Sequence, residues 1–403
     1  MAGPDLGTDQ RRLRRASVLA GLGDGTAATA LPLLAAGITR DPLAVAGVIA
    51  AQHLPWVLTA ALGPLLLRSV DRRTTMGAVD TMRAVALGVL GFVVLTNDET
   101  ILLVQVAAFV VGLGEILTDD GESAGADSLG GGLVGGRLSA AGMWAVGVGM
   151  VAGGLLYEVI SAAPLLLDVG VFSLAALSAL SVSRTIPSRT DDGATTPSGV
   201  RPARDSTAVT AVAVLAAAAT SAVIGVLVLF ALDDLGLGAP AFGLLLAGLA
   251  VAATAGGLIA PEVGRLLGVR AGLVAGLLTV GAGHAAASLL ADPLRPEPAV
   301  VGLGVAAGGA MVAVVLSRVL LFAGTGRGID GPGLQAFHLA VWTAVPAGAL
   351  AGGWAGRHVD TAGVVLGAGV AALLAAGLVV TVRKPGAPTG GSPARAAPDT
   401  VAR

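Results

Sequence analysis

The chain has 403 residues, of which 55% are hydrophobic and only 12% charged, with a mean hydropathy of +0.85. A soluble domain carries about 25% charged residues, and this composition folded in water would expose apolar surface far beyond tolerated patches, so the chain belongs in a bilayer. The absence of cysteine excludes disulfides, thiolate metal sites and cysteine nucleophiles; a net charge of −2 singles out no partner, and no nucleic acid is expected.

Nearly uncharged stretches long enough to cross a core of about 30 Å occur at residues 16–38, 43–67, 74–96, 100–118, 137–160, 162–183, 207–232, 239–262, 269–291, 297–323, 332–356 and 361–382. The first follows Arg11, Arg12, Arg14 and Arg15 and is too long for the apolar region of a cleaved signal. Asp24 lies nine positions beyond Arg15, hence about 13 Å into the hydrocarbon and near its midplane. Gln52 and His53 on the second stretch and Arg83 on the third come out at comparable depth. Asp80 and Arg83, spaced i, i+3, share a helix face and can pair. The fourth stretch carries Glu115 and ends near Asp119, and the fifth carries Gly149 and Gly153 at the spacing that lets helices approach closely. Asp168 on the sixth, about 9 Å from the outer face by helix rise, reads as a structural partner. In the later stretches His284 and His338 stand alone and read as packing residues, and Arg318 as a partner within its own half.

The basic residues orient the chain. With the N-terminus inside, 19 of the 24 Lys and Arg fall on the inner side, three (Arg40, Arg295 and Arg357) outside, and Arg83 and Arg318 within spans, as the positive-inside rule requires of an even number of spans with both termini cytoplasmic. The polar segment 184–206 reads as a cytoplasmic linker between an N-terminal six-helix bundle (1–183) and a C-terminal one (207–383), and 384–403 as a disordered tail rich in Pro, Gly and Ala. Short basic loops after the second and the eighth span, with Arg68, Asp71, Arg72 and Arg73 in one and Arg265 and Arg270 in the other, echo each other. The expected architecture is an all-α membrane protein of twelve transmembrane helices in two six-helix repeats related about the membrane normal.

Gly23-Asp24-Gly25 with Ala30-Leu31-Pro32, Gln52-His53-Leu54-Pro55-Trp56, Asp71-Arg72-Arg73 with Asp80 and Arg83, and Gly112-Leu113-Gly114-Glu115 with Asp119 follow one another along the N-terminal half. In these, and in Leu167-Asp168 with Phe172, the sequence resembles the major facilitator superfamily, and within it the branch typified by the enterobactin exporter and the macrolide efflux proteins. It departs from that pattern at Pro64, Arg68, Asp127 and Met150. The resemblance implies alternating access, export and, through an intramembrane carboxyl, coupling to protons.

A charge in hydrocarbon is costly, so Asp24, Gln52, His53 and Arg83 should face a cavity or one another. Asp24 is the expected proton-coupling residue, because burial and a cationic neighbour together set whether a carboxyl holds a proton; Gln52, His53 and Arg83 are the expected cavity wall. Asp71, Arg72, Arg73, Asp80, Glu115 and Asp119 crowd the cytoplasmic end as an expected gate, with a static charge network as the alternative. The function expected is proton-coupled export of a small amphiphilic organic molecule by a monomer in the cytoplasmic membrane, without metal or cofactor, with uptake of a small metabolite as the alternative. A membrane-embedded prenyl-transfer enzyme would need two facing acidic clusters, but Asp119-Asp120 and Asp233-Asp234 fall on opposite sides and cannot share a metal. A nucleotide-driven pump would need a phosphate-binding loop, and the lone lysine, Lys384, has no such context.

Overall fold

The computed structural model describes residues 6–66, 72–128, 132–182, 204–323 and 332–381. Among them are twelve α-helices: α1 (Leu6–Ile38), α2 (Pro42–Leu66), α3 (Arg72–Thr96), α4 (Ile101–Ser128), α5 (Gly132–Val159), α6 (Ala163–Leu180), α7 (Arg204–Leu229), α8 (Ala239–Leu267), α9 (Val269–Leu289), α10 (Glu297–Ala323), α11 (Pro332–Gly356) and α12 (Thr361–Thr381). A π-helical turn, Phe230–Asp234, extends α7. Ten helices are long and apolar enough to cross a membrane; the apolar parts of the other two, Pro42–Leu58 and Ile101–Ile116, are shorter. The chain is therefore an all-helical multi-pass membrane protein.

Several of the described connections are short. Residues 39–41 join α1 to α2, and one residue, Gly268, joins α8 to α9. Its φ of +82° is open to glycine and strained for other residues. Consecutive helices so run in opposite directions, and the starts of α1, α3, α5, α7, α9 and α11 share one end with the close of α12, where the described residues begin and finish. We call it the termini end, and the opposite one the distal end.

Neighbour relations recur at an offset of six helices. In the first half α1 packs on α5 and α6, α3 on α4 and α6, and α2 on α4; in the second α7 packs on α11 and α12, α9 on α10 and α12, and α8 on α10. Between the halves α2 packs on α11, and its counterpart α8 packs on α5. Glycine makes the tightest crossings possible. A Cβ on Gly25 would lie 2.0 Å from the Val146 carbonyl oxygen and one on Gly149 2.1 Å from that of Leu22, joining α1 to α5; Gly348 and Gly352 meet the carbonyls of Ala218 and Ala222 in the corresponding α11–α7 pair. The small-residue spacing at Gly149 and Gly153 thus marks a backbone-to-backbone contact.

Contacts between the halves gather toward the distal end. Ala46 of α2 sits against Gly225 and Gly353, and Ile49 and Ala50 cluster with Ala349; the stack of Trp56 on Trp342, ring centroids 4.3 Å apart, lies just past the helix midpoints on the termini side. Gly154 of α5 and Gly243 of α8 cross at contact distance, whereas a Cβ on Gly147, two turns nearer the termini end on the same face of α5, would meet nothing within 4 Å. Two ion pairs close the distal rim: Arg40 with Asp233 at 3.0 Å, and Arg357 with Asp41. The hydrogen bonds from Arg357 hold the Asp41 carboxyl below its ordinary value of 3.8.

Candidate functional site

The charged centre lies inside the first six helices, and Arg83 of α3 is its hub. Its side chain is 0% exposed. Nη1 lies 3.4 Å from Asp24 Oδ1 of α1 and 3.5 Å from Asp80 Oδ1, one turn back on α3. Nε and Nη2 both donate to the Val111 carbonyl oxygen of α4, at 3.2 and 3.0 Å. The ring of Phe172, on α6, covers the guanidinium with its centroid 5.1 Å from Cζ, a cation–π arrangement. Four helices therefore hold one cation.

Local sequence explains how they come this close. A Cβ on Gly114 would lie 1.8 Å from Arg83 Nε, and one on Gly23 would lie 2.7 Å from the Phe172 ring. Glycine at these two positions leaves room for the guanidinium and for its aromatic lid. Gly112 lets α2 press on α4, since a Cβ there would lie 1.8 Å from the Gln52 carbonyl oxygen. Beside that crossing Gln52 Nε2 donates to Glu115 Oε1 at 2.8 Å. Each glycine and the acid of Gly112-Leu113-Gly114-Glu115 thus has a separate contact.

The surroundings of the acids differ. Asp80 and Asp168 are buried, while the Asp24 side chain keeps 23% of its surface accessible and Glu115 is half-buried. Asp168 on α6 is within electrostatic reach of both Asp24 and Arg83. Four carboxyl groups, Asp24, Asp80, Glu115 and Asp168, thus share the influence of a single guanidinium. If all four were ionised, three negative charges would stand uncompensated in hydrocarbon, which is prohibitively costly.

Two expectations change. Arg83, expected on a cavity wall, is enclosed instead, because Val111 and Phe172 complete its shell where a cavity would have left it open. Asp80 and Glu115, expected in a gate at one end, belong to the interior network: Asp80 pairs with Arg83 and Glu115 with Gln52. His53 turns onto its own helix, its Nδ1 2.9 Å from the Ile49 carbonyl oxygen, and among the described residues no bond joins it to Asp24. Asp71 lies outside the described residues, as do the side chains of Arg72, Arg73 and Asp119. Asp168 is the participant that sequence reasoning set aside. The available signal was its place one turn before Phe172, which puts both side chains on one face of α6.

No family model matches the chain, and no curated protein matches it in sequence. Solved structures do. A point mutant of the nucleoside transporter NupG superposes with a TM-score of 0.73 at 12% identity, over 92% of this chain and 99% of that one. A bacterial homologue of iron transporter ferroportin in an inward-facing state gives 0.72 at 14%, over 93% and 98%, and the POT family transporter PepTSo 0.69 at 11%, over 92% and 97%. The chain shares the fold of these solved transporters. At these identities the likeness establishes architecture and leaves cargo to the chain's own residues.

Proposed function

We propose that the protein is a secondary active transporter that exchanges protons for a small amphiphilic organic molecule and exports it from the cell. Two six-helix repeats, within 1–183 and 207–383, flank a central cavity and rock about it, the segment 184–206 linking them. The repeat reading is supported by the neighbour relations that return six helices later. Placing the termini end in the cytoplasm is supported by the distribution of basic residues. Because contacts between the halves gather at the distal end, the described form is closed outward and receives cargo from the cytoplasm.

The observation that carries the proton reading is Asp24: a carboxyl at mid-depth with part of its surface accessible, held by an arginine that it shares with a buried competitor. Protonation of Asp24 releases its hold on Arg83, and only the ionised carboxylate is able to take the arginine up again. One side chain so links the proton to the packing of α1, α3, α4 and α6. The interior is aliphatic with few polar anchors and few aromatic faces, which suits an apolar or amphiphilic cargo better than a sugar.

The test uses purified protein in liposomes with a panel of fluorescent lipophilic dyes, neutral and cationic. Transport driven by a pH gradient is expected for wild type and is lost in Asp24→Asn, with the folded yield unchanged. Persistence of gradient-driven transport in that variant removes Asp24 from the coupling role. Direction is read in cells: an uncoupler raises dye retention if the protein exports and lowers it if the protein imports.

A further inference from the structure

Asp168 is the group the proton reading leaves unused. Its side chain is fully buried, and neither carboxyl oxygen has a hydrogen-bond partner in the protein. Three helices pack against α6: α1, α3 and α5. From α1 the charged group facing it is Asp24, and from α3 they are Arg83 and the more distant Asp80; among the described residues α5 brings none at this level. The contacts of Arg83 go elsewhere than to Asp168: Nε and Nη2 each donate to Val111, and Nη1 is divided between Asp24 and Asp80. An ionised carboxylate in that position would be buried without a hydrogen bond or a counter-ion in contact, which favours the neutral acid there.

We infer that Asp168 is a second, exchangeable proton site, and that Arg83 passes between Asp24 and Asp168 as that proton leaves and returns. In the proton-loaded form Asp168 is neutral and Arg83 is held by Asp24. On unloading, the O–H bond of Asp168 breaks, its electron pair stays on the carboxylate, and the proton leaves through Asp24, the neighbouring acid with accessible surface. Nη1 then follows the new negative charge to Asp168. Asp24 is left ionised, facing the cavity and free of its arginine, ready to hold a cationic or hydrogen-bond-donating group of the cargo. Proton and cargo so exclude one another through a residue that the cargo never touches. This rests on the proton-coupled reading of Asp24, but the proton at Asp168 is observable without any cargo.

The experiment is infrared difference spectroscopy of the full chain reconstituted in lipid, titrated in pH, with H₂O/D₂O exchange identifying the carbonyl stretch of protonated carboxyl groups. Wild type is expected to show a protonated-carboxyl band at neutral pH that disappears on alkalinisation, to lose that band in Asp168→Asn, and to keep it, with its midpoint moved, in Asp24→Asn. If the Asp168→Asn spectrum equals that of wild type, or if the Asp168 band fails to titrate, the inference is overturned. Should Asp168→Asn fail to assemble, Asp168→Glu replaces it: the band must shift in frequency, and an unshifted band overturns the assignment. A titrating Asp168 band together with unimpaired gradient-driven transport in Asp24→Asn would retain this site and reject the coupling role of Asp24, so the two failures are distinct.

Discussion

Gly114 offers the sharpest test of the buried hub, because the atoms nearest the smallest possible substitution there all belong to Arg83. A Cβ at this position would lie 1.8 Å from Arg83 Nε, and reaching the 3.4 Å of ordinary contact means displacing the guanidinium by about 1.6 Å. That is half the length of the contacts it makes, 3.2 Å to Val111 and 3.4 Å to Asp24, and Phe172 blocks retreat on one side. Depriving a buried charge of its partners costs about 3 to 5 kcal/mol, or roughly a hundredfold to several thousandfold in an equilibrium at about 1.4 kcal/mol per decade. Gly114→Ala is therefore expected to lower gradient-driven dye transport in liposomes by about a hundredfold or more, and to lower the melting temperature in detergent. Gly170→Ala, also in the first six helices, serves as the control, since a Cβ there meets nothing within 4 Å. Wild-type transport by Gly114→Ala at an unchanged melting temperature would refute the claim that Arg83 is confined as described.

Two further expectations concern the distal end, and both are read from the distance between spin labels on cysteines placed at the exposed positions Asp98 and Val359 of this otherwise cysteine-free chain. Gly243→Leu inserts a side chain where even a Cβ would lie 2.4 Å from the Met150 carbonyl oxygen; the label distance should lengthen and transport should fall, while an unchanged distance would show that the α5–α8 crossing does not gate. Arg357→Ala removes the partner that depresses the Asp41 carboxyl, and should widen the distribution toward the open form, with the double exchange Asp41→Arg, Arg357→Asp restoring it. The pH dependence has a fixed sign: the closed form depresses this carboxyl below 3.8, so the pair favours closure at all pH above that value and stops doing so as pH falls through the depressed value. Opening of the distal end on mild acidification to a pH still above 3.8 would assign that effect to another group.

Element placement was highly legible, because lengths near twenty apolar residues, broken by Arg clusters or by Gly and Pro, leave little freedom in where a span starts. The stretch 239–262 runs on to Leu267, since Pro261 and Glu262 are tolerated near a helix end and Gly268 supplies the stop. The site was legible in part. Asp24 and the Asp80–Arg83 pair could be found from depth and spacing along single helices, but which helices face each other is set by packing between elements distant in sequence. Asp168 was missed for that reason: its distance along the membrane normal is readable from helix rise, whereas the rotation of α6 that turns it toward α1 and α3 is not. The basic residues at the distal end illustrate the same limit. Arg40 and Arg357 count against the charge rule in sequence, yet both are paired across the halves with Asp233 and Asp41, a partnership that no linear window reveals.

The single-residue joint at Gly268 has a mechanical consequence. Two helices that meet through one residue have only its φ and ψ as a hinge, so α8 and α9 cannot slide past one another the way helices joined by a slack loop can. Any tilt of α8 as it pivots on α5 is delivered to α9 like torque through a crank, and from α9 to α10 and α12, which pack upon it. Through that joint α8, α9, α10 and α12 are bound to move together, so the second six helices behave as one stiff lever rather than as separate rods.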